Sequence, residues 1–137
     1  MKNPEQEAKM SKKILVVDDE EDVVRIISSN LEAAGYQTIA ANNGYDALER
    51  AATEKPDLIL LDVTMPGMDG LEALRKLKET VVPDTAVVLL TAKSEKSDMK
   101  AGWDSGADLY LLKPFLPAEL TQFVKCILED GPALLQG

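Results

Sequence analysis

The chain has 137 residues and 45% apolar content, enough for one domain with a core of its own, too few for two, and too apolar for disorder throughout. A formal charge of −9 opposes direct contact with a nucleic-acid backbone or an anionic membrane, and the lack of histidine excludes His-based metal sites and Ser/His/Asp or Cys/His catalysis. One cysteine, Cys126, rules out an internal disulfide, and neither a bilayer-length apolar run nor a signal-like N-terminus is present, so the expected location is the cytoplasm.

Residues 1–11 are polar and aperiodic and read as a flexible extension. Lys13 to Val17 is a β-branched run that ends in Asp18-Asp19-Glu20-Glu21. A helix follows, with Val23, Ile26, Ile27, Leu31 and Ala34 expected on its inner face and Gly35 as its stop. Tyr36 to Ala41 is a weaker strand, Asn42-Asn43-Gly44 a turn and cap, and Tyr45 to Thr53 a short helix with Ala47, Leu48 and Ala51 inward. Lys55-Pro56 breaks it before Leu58 to Asp62, a run too short for a helix and apolar enough to be a strand buried on both faces. A Pro/Gly-rich turn leads to a third helix with Leu71, Leu74 and Leu77 inward. Thr85 to Thr91 is a second doubly buried strand, residues 93–105 carry a marginal helix, and Leu109 to Leu112 leads into Lys113-Pro114-Phe115. The last helix has the clearest stripe, Leu120, Phe123, Val124, Ile127 and Leu128, with Cys126 beside it and Gly131-Pro132 at its end. Residues 12–130 thus form one domain, with 131–137 as a tail. The order is βα five times, which predicts an α/β fold: a parallel five-stranded sheet between two helical layers.

Right-handed βα units place all the strand carboxyl ends on one edge. Asp18 and Asp19, Asp62, Thr91 and Lys113 then converge. Three carboxylates stay ionised side by side only with a cation among them, and Lys113 supplies a single charge. A hard divalent ion with oxygen ligands balances the rest, and Mg²⁺, which takes one or two carboxylates plus substrate oxygens, fits this sparse set. Such a site suits a phosphoryl group. Asp62 can attack it while Thr91 and Lys113 hold its oxygens, and the product is an aspartyl phosphate. Taken singly, each residue has a plainer role: the acids as a helix start favoured by the macrodipole, Asp62 as a turn residue, Thr91 as a strand-end hydroxyl, Lys113 as a surface charge. Their conjunction carries the reading.

The motifs Val17-Asp18-Asp19-Glu20, Leu61 through Gly70, Leu90-Thr91-Ala92 and Tyr110 through Phe115 occur in order and at matching spacing, and together they resemble the receiver domain of two-component response regulators over residues 12–130. The resemblance implies a flavodoxin-like (βα)5 three-layer sandwich with strand order 2-1-3-4-5. It makes Asp62 the phosphoacceptor, Asp19 a direct Mg²⁺ ligand, Asp18 a ligand through water, and the backbone carbonyl of Thr64 another ligand. It assigns the phosphoryl oxygens to Thr91 and Lys113, and a switch role to Thr91 with Tyr110. A cis Lys113-Pro114 bond is typical of the family. Thr64 and Lys93 stand at the positions that tune its dephosphorylation rate.

The resemblance further implies a phosphoryl donor, either a histidine kinase or a histidine phosphotransfer protein. The expected consequence is a change in protein contacts over the face of residues 95–130, toward a downstream target or an output domain. Family members also pair through the fourth and fifth helices, which makes a homodimer on that face a candidate. No independent enzymatic turnover is expected beyond the domain's own phosphorylation and dephosphorylation. No output domain is expected after residue 130, so a stand-alone receiver and a domain of a longer regulator or hybrid kinase both fit. An aspartyl phosphatase is opposed by Thr64, where such enzymes carry a second acid, and a flavodoxin-type electron carrier by the acidic loop after the first strand. The alternative is a phosphorylation-independent interaction module.

Overall fold

The computed structural model describes residues 12–62, 70–92, 108–113 and 116–130. Its frame is a five-stranded parallel sheet in the order β2-β1-β3-β4-β5, as the sequence reading expects. The strands are β1 (Lys13–Val17), β2 (Gln37–Ala41), β3 (Leu58–Asp62), β4 (Ala86–Ala92) and β5 (Leu109–Lys113). Every residue of β3 is buried, because helices cover both faces and neither presents a side chain to water. Odd and even positions along the strands feed two cores. Leu15, Val17, Ile59, Leu61, Val87 and Leu89 join Ala47, Ala51, Leu74 and Leu77 on one face. On the other, Ile14, Val16, Leu58, Leu60, Val88 and Leu90 join Ile27, Leu31, Leu120, Val124 and Ile127. A fully buried leucine stabilises the fold by about 1.5–3 kcal/mol relative to exposure, so these two layers hold the sheet edge in place.

Helix α1 (Glu21–Ala33) follows β1 with Glu21 and Asp22 in its first turn, the favoured sign at that end of the dipole. Its buried residues are Val24, Ile27 and Leu31. This corrects the expectation for Ile26, which is 51% exposed. At 100° per residue, the stripe through Val24, Ile27 and Leu31 leaves Ile26 on the flank. Gly35, at φ 103°, then turns the chain toward β2.

Helix α2 (Gly44–Glu54) is capped at its start by Asn43, whose Oδ1 accepts the Asp46 N–H at 2.9 Å. It ends at Lys55 in the left-handed region, φ 48°, with the Lys55 N–H donating to Ala51 O. Helix α3 (Gly70–Lys76) widens into a π-type turn over Leu77–Val81. The last helix, here α4 (Pro117–Lys125), does the same over Cys126–Asp130. At the edge of the sheet away from the site, Lys78 Nζ pairs with Asp108 Oδ2 at 3.0 Å, and that same oxygen accepts the Val87 N–H at 2.8 Å. These bonds tie the starts of β4 and β5 together.

The expected extension over residues 1–11, the helix within 93–105, Trp103, the Lys113-Pro114 bond and the tail over 131–137 lie outside the described residues.

Candidate functional site

β1 and β3 run side by side with Val17 opposite Leu61, so Asp18 and Asp62 leave adjacent strands at the same edge. The ladder continues one residue past β1, where the Asp18 N–H donates to Ala41 O at 3.2 Å. Asp18 is 0% exposed and Asp62 4%, and they are the only buried charged residues among those whose burial is described. Carboxylates belong at the surface unless something compensates for lost hydration. Two of them on neighbouring strand ends, above two cores of apolar strand residues, mark this edge as the place where the fold does something other than pack.

The chain leaves β1 through a tight turn built by Asp18 itself. Its Oδ1 accepts the Glu20 N–H at 3.0 Å, and Glu20, extended at φ −94° and ψ 110°, starts α1. This turn gathers three acids: carboxylate oxygens of Asp18, Asp19 and Glu20 all lie within 4.8 Å of one another, with Asp18 buried and the other two exposed. Glu20 joins this cluster although the sequence alone assigns it only to a helix start. Its signal was adjacency to Asp18-Asp19, and the helix dipole offered a ready explanation for an acid there.

Register brings the remaining candidates to the same edge. Asp62 pairs with Leu90, one residue before Thr91. Thr91 pairs with Leu112, and Ala92 with Lys113. Tyr110 pairs with Leu89, deeper in β5. The backbone of Thr91 and Lys113 thus stands at the carboxyl ends of β4 and β5, whereas Thr64 lies outside the described residues.

The donor set tests which ion the edge fits. It consists of carboxylate oxygens, with no thiolate or imidazole among the acids gathered there. Of these clustered acids Asp18 is buried, and the buried Asp62 ends the adjacent strand. That chemistry selects a hard divalent cation over zinc or copper.

Residues 14–125 match the model of the response regulator receiver domain. The chain belongs to that family. The receiver is 49% identical over 120 residues to the alkaline phosphatase synthesis transcriptional regulatory protein PhoP of Bacillus subtilis, covering 88% of this chain and 50% of PhoP. It is 42% identical over 125 residues to the phosphate regulon transcriptional regulatory protein PhoB of Pseudomonas aeruginosa, covering 90% of this chain and 55% of PhoB. The chain therefore spans about half the length of these relatives. Among solved structures, the receiver is similar to the chemotaxis protein CheY4 of Vibrio cholerae, with TM-score 0.78, 31% identity and coverage of 83% of this chain and 96% of CheY4. A CheY-like receiver of Methanospirillum hungatei superposes with TM-score 0.82 at 28% identity, covering 89% of this chain and 97% of that one. Receiver domains of this family are phosphorylation-activated signalling switches, and the flavodoxin-like sheet order is the one observed here.

Proposed function

We propose that this receiver accepts a phosphoryl group on Asp62 from a histidine kinase or a histidine phosphotransfer protein. The observation that carries the proposal is the buried Asp62 at the end of β3, set beside the buried Asp18 at the end of β1. An Asp62 carboxylate oxygen attacks phosphorus, the bond from phosphorus to the donor's imidazole nitrogen breaks, and that nitrogen keeps the electron pair. Thr91 and Lys113, at the ends of β4 and β5, bind the transferred oxygens, the lysine neutralising their charge and the threonine donating its hydroxyl. Asp19, Asp62 and the Thr64 carbonyl would hold Mg²⁺, with Asp18 acting through water, and the ion would offset the negative charge that otherwise repels the incoming group.

Phosphorylation then shifts a two-state equilibrium in which Thr91 and Tyr110 move together, and the change is read on the face of residues 95–130. An exposed Leu116 and an open groove lined by Ala118, Gln122, Phe123 and Cys126 support that face as the output surface, whether toward a target, an output domain or a second receiver. The −9 charge supports an output through protein rather than direct DNA contact by this domain. We assign it no turnover beyond its own phosphorylation and dephosphorylation. Membership of the response regulator family supports a cytoplasmic setting, and no helix among the described residues is long and apolar enough to cross a membrane.

Intact mass after incubation with acetyl phosphate and Mg²⁺, on the wild type and Asp62→Ala, tests the proposal. The expected result is one added phosphoryl group on the wild type alone and none without Mg²⁺. If neither protein gains mass, and beryllofluoride as a stable mimic also fails to bind, the phosphorylation-independent interaction module replaces it.

A further inference from the structure

We propose that Glu20 is a third acidic residue of the cation pocket, acting on the ion's water shell rather than as a direct ligand. The inference rests on the pocket reading above. Three observations carry it. The Glu20 carboxylate lies within 4.8 Å of those of both Asp18 and Asp19. Its backbone is fixed in that place by the bond from its own N–H to Asp18 Oδ1, so the acid that lines the pocket also positions its neighbour. And although Glu20 occupies the N-cap of α1, its side chain makes no capping hydrogen bond. The usual structural use of a polar side chain at this position is therefore not the one made of it.

The competing account is a charge that merely suits the helix dipole. Glu21 and Asp22 already fill the first turn with acids, which makes a further one redundant for that purpose. Mg²⁺ keeps several of its waters when bound to protein. An exposed carboxylate beside two others is placed to accept hydrogen bonds from those waters, and its charge acts on the ion without displacing them. The consequence is tighter retention of a divalent ion before any phosphoryl group arrives.

Mn²⁺ binding, counted from the amplitude of the free-ion electron paramagnetic resonance signal and competed with Mg²⁺, measures this directly without any phosphoryl donor. Four proteins are compared at fixed ionic strength: wild type, Glu20→Gln, Glu21→Gln and Asp19→Asn. Glu20→Gln removes the charge at nearly constant shape, and Glu21→Gln removes the same charge one residue away. The expected result is an affinity about three- to tenfold weaker for Glu20→Gln and less than about twofold weaker for Glu21→Gln. Equal losses in the two variants overturn the inference and leave Glu20 as a helix-start charge. The same holds if Asp19→Asn loses binding while Glu20→Gln keeps it, and then the pocket reading stands. A wild type that binds neither ion, or an Asp19→Asn variant as tight as wild type, overturns the pocket reading and this inference with it.

Discussion

Lys55 is the one non-glycine residue with positive φ among those described. A side chain with a Cβ pays about 1–2 kcal/mol there, part of which a glycine returns through its freer unfolded chain. Lys55→Gly is therefore expected to raise stability by about 0.5–1 kcal/mol, seen as a higher urea midpoint at unchanged slope. Tyr36 shows a different kind of tension. It is 4% exposed, and its hydroxyl makes no well-formed hydrogen bond with a described residue. Burial first, and then the Glu129 carboxylate facing it, push the hydroxyl up to about 12. The folded protein thus holds this proton more tightly than the unfolded chain. The corresponding stability is fully present below an unfolded pKa of about 10 and is lost as pH rises through about 12. Between those values the wild type should lose stability on the order of 2 kcal/mol more than Tyr36→Phe, measured as urea midpoints at matched pH. A parallel decline in the two proteins contradicts the assignment.

At the scale of elements, burial and capping make separable predictions. Leu60 is wholly buried in the central strand, and Leu60→Ala is expected to cost about 2–5 kcal/mol. Ile26→Ser, on the exposed flank of α1, should stay within about 0.5 kcal/mol. Asn43→Ala removes the only side-chain bond to the Asp46 N–H and should cost about 1 kcal/mol, in the same chemical denaturation series. The contrast between Leu60 and Ile26 also shows what could be read from the residues. An unbroken apolar run of strand length has one reading, so β3 and β4 were legible, and Asp62 with them because it ends the run. The adjacent pair Ile26-Ile27 admits two helical phases, and only packing against the sheet chooses the one through Val24, Ile27 and Leu31. Lys55 was illegible for a related reason: composition offered a proline break, whereas the left-handed cap is set by where α2 must stop to reach β3. Glu20 escaped because an acid at a helix start explains itself without a site.

For the molecule as a whole, the pocket sets stability and function against each other. Carboxylates gathered at one edge, in a chain with net charge −9, repel one another when no cation is bound. Anything that binds only the folded form stabilises it by RT ln(1 + [L]/Kd), about 2.7 kcal/mol at a hundredfold excess over Kd. Mg²⁺ should therefore raise the unfolding midpoint of the wild type in a concentration-dependent way. In Asp19→Asn most of that dependence should vanish, while stability without Mg²⁺ stays equal or rises, because an exposed charge beside two others has been removed. Potassium chloride at equal ionic strength separates the site effect from screening, which acts over about 10 Å at 0.1 M salt and treats both proteins alike. If Mg²⁺ stabilises the two proteins equally, the gain comes from diffuse charge, and the three clustered acids do not act together on a cation. If it stabilises the wild type alone, the same groups that strain the empty domain are those that prepare Asp62 to receive a phosphoryl group.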